Sequence, residues 1–91
     1  LSSSSAASDV YKRQVNPTGN PGLSRGGSGD VLAGMTAALL ACRLPAYEAA
    51  ACAVYLHGAA ADRAAAVHGE YGMLPHDILP ELGRMFAEHQ R

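Results

Sequence analysis

The chain has 91 residues, room for one small domain and no second. Its formal net charge is −1 with acids and bases interspersed, so it lacks the basic footprint that nucleic acid requires, and no nucleic acid is expected as a partner. Alanine is the most abundant of the apolar 48%, with four Tyr, one Phe and no Trp, so many buried side chains remove little area from water and the core is expected to be thin.

The longest uncharged apolar runs, 31–42 and 49–61, fall short of the roughly 20 residues that a bilayer demands, so no membrane partner is expected. Cys42 and Cys52 match no zinc or redox spacing and read as free thiols in a cytoplasmic protein. Histidines and carboxylates nowhere fall at metal-ligand spacing, so no metal site built from side chains is expected.

In chain order, residues 1–14 (LSSSSAASDVYKRQ) are Ser-rich, without apolar periodicity and without the charged and apolar regions of a signal peptide. They resemble a translated sequencing-library adapter and read as a non-native or disordered leader with no chemistry. Residues 15–29 (VNPTGNPGLSRGGSG) hold two X-Pro steps and five glycines, which forbid helix and predict an ordered, turn-rich loop. So long a segment without secondary structure is unusual in a compact domain unless it is functional.

Three helices are then expected. The first covers 30–43, with Val31, Leu32, Met35, Leu39 and Leu40 near a 3.6-residue period, and stops at Leu44-Pro45. The second covers 46–68 with Tyr47, Val54, Leu56 and Val67 as its larger apolar groups, and Gly69 ends it. Gly58 in its middle costs about 1 kcal/mol against Ala, which points to a close packing contact there. The third begins near 75–77 and carries Ile78, Leu79, Leu82, Met85 and Phe86, with Pro80 in its first turn. No segment alternates as a strand would.

The corner Gly26-Gly27-Ser28-Gly29-Asp30 runs from a glycine-rich loop directly into a helix. A helix start leaves four amides unpaired and carries about half a positive charge, and glycines let the backbone approach a ligand closely. Such a corner is suited to an anion, most naturally phosphate. The Lys-Ser/Thr of a P-loop is missing; an aspartate takes its place. Asp30 has two readings, a helix-capping acid or a general base held where a substrate hydroxyl meets the phosphate.

The run NPTGNPGLSRGGSGDVLAG, residues 16–34, resembles the signature of the ADP/ATP-dependent NAD(P)H-hydrate dehydratases of the ribokinase-like superfamily. The similarity continues through Tyr55-Leu56-His57-Gly58, Ala61-Asp62 and Gly69-Glu70-Tyr71-Gly72. Leu23 in place of the usual Met, and Arg25 in place of Thr or Lys, are small departures. The resemblance implies an α/β ribokinase-like parent fold. Of that fold, residues 15–91 would form a C-terminal, mainly α part of three helices after a Gly/Pro-rich loop, weakly folded and inactive alone.

The resemblance further implies repair of hydrated NADH or NADPH (NADHX, NADPHX), with ADP or ATP as phosphoryl donor and Mg2+ bridging the nucleotide phosphates. Asp30 would be the base and touch substrate. Asn16 and Thr18 would touch substrate or hold the turn, and Asn20, Gly22, Gly26, Gly27, Ser28 and Gly29 would wrap the nucleotide. The parent is expected to be a cytoplasmic homo-oligomer.

Two alternatives stay open: a ribokinase-like kinase of vitamin-precursor alcohols, and a non-enzymatic helical module. His57 reads as a hydrogen-bonded helix histidine or a pocket residue, His68 and His76 as surface groups, and Asp62 as a solvated or capping acid.

Overall fold

The structure, a computed structural model, describes residues 15–89. The leader expected at residues 1–14 lies outside the described residues. A turn-rich segment with a 3-10 turn at Pro21–Leu23 leads into three helices, α1 (Ser28–Ala41), α2 (Ala46–His68) and α3 (Ile78–His89). A second 3-10 turn, Pro75–Asp77, leads into α3. No strand occurs among the described residues, so this part of the chain is helical as its patterning predicts.

The ends of α2 follow from local chemistry. Pro45, at φ −56 and ψ 149, occupies the N-cap, and Gly69 at φ 78 ends the helix with its N–H donating to the Ala65 carbonyl. Helix α1 starts two residues earlier than the periodicity predicts. Gly27 adopts φ 100, a conformation that side chains disfavour, and takes the N-cap position, so Ser28 and Gly29 enter the first turn. It also ends earlier, at Ala41. Arg43 takes a left-handed φ of 67, its N–H donates to Leu40 O (2.9 Å), and Leu44 N–H reaches back to Leu39 O (3.4 Å), the paired bonds that close a Schellman end.

Helix α2 lies between the other two and packs on both. Its buried stripe is Ala49, Ala53, His57, Gly58, Ala60, Ala61 and Ala64, a face repeating at helical spacing. The larger groups that the sequence singles out on α2 do not form the core: Val54 and Val67 are exposed, and Tyr47 and Leu56 are half-buried. Small side chains let neighbouring helices approach closely, and bulk is supplied by Met73 and Ile78, with Leu23, Val31, Leu82 and Met85 packed against them. At the far end, Arg63 makes a two-pronged pair with Glu88 of α3 at 2.9 and 2.8 Å. Both side chains reach solvent, so water screens the pair and it adds little to stability.

Candidate active site

The loop ahead of α1 is laid along α2 and fastened to it by polar contacts. The Thr18 hydroxyl lies 3.0 Å from the Tyr55 carbonyl and 2.9 Å from Asn16 Oδ1, two acceptors for its single proton. Asn16 Nδ2 donates to the carbonyls of Thr18 (3.2 Å) and Val54 (3.5 Å), and Asn16 Oδ1 accepts from Thr18 N–H (3.3 Å). Gly58 lies directly under this contact. A Cβ there would collide with the Thr18 hydroxyl and come within 2.8 Å of its carbonyl carbon. The mid-helix glycine is the close approach that its cost in the sequence predicts.

Next along the loop, Asp62 of α2 accepts from Gly19 N–H (3.0 Å) and from Asn20 Nδ2 (2.8 Å). Asn20 Oδ1 in turn accepts Gly22 N–H at 2.9 Å and caps the 3-10 turn. Gly22 is buried, and a Cβ would sit 2.8 Å from Glu70 O and 2.5 Å from Met73 Sδ. Asn16, Thr18, Asn20 and Gly22 therefore all take part in holding the loop. Arg25 donates to the Tyr71 carbonyl and ties the exposed tip of the loop to the turn after α2.

At the glycine corner the pattern reverses. Gly26 and Gly29 have ordinary backbone angles, and a Cβ at either would meet nothing within 4 Å. Neither conformation nor packing requires glycine at these two positions. The amides of Gly26, Gly27, Gly29 and Asp30 have no hydrogen-bond partner among the described residues. Asp30 is the third residue of α1, exposed, and its carboxylate has neither hydrogen bond nor ion pair among the described residues. It complements the helix dipole but caps nothing, because Gly27 holds the cap position.

Ser28, by contrast, is buried, and its carbonyl lies 3.1 Å from Nε2 of the buried His57. A carbonyl only accepts, so Nε2 carries the proton and donates. Burial lowers the His57 pKa below its ordinary 6.5, opposed by the bond to Ser28. A histidine with a depressed native pKa binds its proton more weakly folded than unfolded. Its contribution is therefore constant above about pH 6.5 and stability declines as pH falls below that value. Thermal melts of wild type and His57→Gln, which keeps a donor without titrating, are expected to diverge only on the acid side.

A cleft of about 310 Å³ gathers Asn16, Thr18, Ser28, Gly29, His57 and Gly58. Asp30 lines a different opening of about 450 Å³, with Val31, Gly34, Met35, Ala38 and Leu79. The helix start thus separates an apolar-walled recess with polar fixtures from the face that carries the carboxylate. Among the described residues no three histidine, cysteine or carboxylate groups converge as ligands. A divalent cation at this corner would draw its ligands mainly from bound phosphates, with Asp30 the carboxylate at hand.

Against known proteins, a family model described as NAD(P)H-hydrate dehydratase matches residues 5–84. The chain belongs to the NAD(P)H-hydrate dehydratase family. It is 48% identical over 68 residues to a bifunctional NAD(P)H-hydrate repair enzyme of Coxiella burnetii, covering 75% of this chain and 14% of that protein. It is 50% identical over 64 residues to the bifunctional repair enzyme of Vibrio cholerae, 70% of this chain and 13% of that protein. It is 43% identical over 75 residues to an ADP-dependent (S)-NAD(P)H-hydrate dehydratase of Bacillus subtilis, 79% of this chain and 27% of that protein. The chain thus spans between about an eighth and a quarter of the length of these dehydratase-family relatives. No solved structure matches it. No helix among the described residues is long and apolar enough to cross a membrane.

One functional group escaped the sequence reading of this family member. Asp62 is exposed, as a solvated acid would be, but it caps no helix; its carboxylate fastens the loop through Gly19 and Asn20. A signal was present, since Val54, Gly58 and Asp62 recur at four-residue spacing and so lie on one face of α2.

Proposed function

We propose that this chain carries the phosphoryl-transfer corner of an ADP-dependent dehydratase that returns hydrated NADH and NADPH to the reduced cofactors. One observation carries the reading. A family signature places four unpaired amides, two glycines with no conformational or packing need and a partnerless carboxylate at one helix start. Residues 15–91 are then the C-terminal part of the dehydratase domain. Helix faces that leave Leu40, Leu79 and Phe86 half exposed suit elements packed into a larger ribokinase-like body. The parent is a cytoplasmic homo-oligomer in this reading, and ATP can stand in for ADP as donor.

In the proposed mechanism Asp30 removes the proton from the ring hydroxyl of the hydrated nicotinamide. The freed oxygen attacks the terminal phosphorus of ADP; a new P–O bond forms and AMP departs with the old one. The C–O bond of the ring then breaks, phosphate leaves with its electron pair, and loss of an adjacent ring C–H proton restores the double bond. The free amides of Gly27 and Gly29 hold charge on the transferring group, whereas the Ser28 amide, expected to join them, already donates to the Arg25 carbonyl at 3.3 Å and so serves the loop. Gly26 and Asn20 shape the wrap around the phosphates, and Asn16 and Thr18 border the substrate. Preorganised donors of this kind commonly lower the barrier more than any other single effect in such catalysis. Magnesium, held by the phosphates beside Asp30, would neutralise part of their charge.

Product analysis on the full-length protein tests the assignment. With ADP and hydrated NADPH, the expected products are NADPH, AMP and inorganic phosphate in equal amounts. A protein that instead phosphorylates a thiazole or pyrimidine alcohol, and leaves hydrated NADPH untouched, is a vitamin-precursor kinase.

A further inference from the structure

Besides the Val54 and Tyr55 carbonyls that receive Asn16 and Thr18, two side chains of α2, five residues apart on that helix, hold the loop that ends at Asp30. His57 grips its downstream end through the Ser28 carbonyl at 3.1 Å. Asp62 grips its upstream end, with each carboxylate oxygen accepting one N–H, from Gly19 at 3.0 Å and Asn20 at 2.8 Å. Between these anchors Ser24, Arg25, Gly26 and Gly27 are exposed.

Gly19 is at φ 111, a conformation other residues rarely adopt, and Asn20 is fully extended at φ −156 and ψ 168. The chain therefore changes direction at the point where Asp62 holds it. From there the order passes on: Asn20, fixed through Nδ2 by Asp62, caps the turn Pro21–Leu23 through Oδ1, and that turn buries Gly22 and packs Leu23 on the core. A carboxylate forms stronger bonds to N–H donors than a neutral acceptor does. No other carboxylate accepts a hydrogen bond from the loop among the described residues.

We infer that Asp62 is a positioning residue for the nucleotide: it sets the entry of the glycine-rich loop, so that the free amides downstream meet the phosphates of a nucleoside diphosphate already in place. The inference rests on the phosphoryl-transfer reading above. It assigns Asp62 no contact with substrate. Its effect belongs to nucleotide binding, because the hydrogen-bond chain runs to the loop and not to the face carrying Asp30.

The test compares Asp62→Ala and Asp62→Asn in the full-length protein by steady-state kinetics and by calorimetric titration with ADP. Asp62→Asn keeps the shape but turns an amide donor toward the amide of Asn20. Both variants are expected to raise the KM and Kd for ADP about tenfold or more, while KM for hydrated NADPH and kcat at saturating ADP stay within about threefold, because a loop displaced by about an ångström loses orientation that costs up to a hundredfold.

Arg63→Ala, which removes the neighbouring pair to Glu88, is the control for general loosening of α2 and is expected to leave the KM for ADP unchanged. Unchanged ADP affinity in both Asp62 variants, or the same rise in Arg63→Ala, overturns the inference while the dehydratase reading stands. Wild type that binds ADP but dehydrates nothing defeats that reading alone, and weakened titration in the Asp62 variants still supports the positioning role. Wild type that binds no ADP defeats both.

Discussion

Asp30→Asn is expected to lower kcat of the full-length enzyme by about a thousandfold, within the 10²–10⁴ range that a positioned general base contributes. The two side chains have nearly the same shape, so the difference lies in basicity and charge. Because the carboxylate bonds to no described residue, the fold loses only its favourable position at the positive end of α1, about 0.3–1 kcal/mol. Nucleotide affinity is expected to change little or to improve, since one negative charge leaves the neighbourhood of the phosphates. Melting temperature and ADP titration alongside turnover separate this from misfolding. If the protein is a non-enzymatic helical module, the same substitution leaves its function intact.

Gly58→Ala is the second large effect, and its sign is decided by competing magnitudes. In a helix interior, alanine is better than glycine by about 1 kcal/mol. Here the new methyl would collide with the Thr18 hydroxyl and press on its carbonyl carbon at 2.8 Å. Overpacking of this kind costs about 1–3 kcal/mol, and a displaced Thr18 also loses its bond to Tyr55, about 0.5–1.5 kcal/mol. The clash outweighs the propensity gain, so the expected result is net destabilisation of about 1–3 kcal/mol with a fall in kcat/KM of at least tenfold as the loop lifts off α2. A variant that melts higher and keeps full activity would show that the loop does not dock on Gly58.

What was legible in the sequence divides along the reach of each determinant. The glycine corner could be read because a glycine-rich run entering a helix start is a local pattern in the chain; Gly26 and Gly29 have no neighbour within 4 Å that asks for glycine. The bounds of α2 could be read because Pro45 and Gly69 act on their own backbone. The start of α1 could not, since it depends on Gly27 adopting φ 100, one of several conformations open to glycine. The core face of α2 could not be read from side-chain size, because size predicts burial only where helices leave room. Here Ala60, Ala61 and Ala64 are buried and Val67 is exposed. Asp62 went unread for a third reason: its partners, Gly19 and Asn20, lie 43 and 42 residues away in the chain. The family signature lent Asn16, Thr18 and Asn20 roles at the ligand. The structure adds that their side chains also hold the loop on α2, which composition gives no means of anticipating.

The most direct measurement of the proposed activity is the recovery of reduced-nicotinamide absorbance when full-length protein is mixed with hydrated NADPH, with and without ADP. Recovery is expected only when ADP is present, matched by one inorganic phosphate released per cofactor restored. Recovery at the same rate without nucleotide, or nucleotide hydrolysis with no cofactor restored, would contradict a phosphoryl-driven dehydration at this corner.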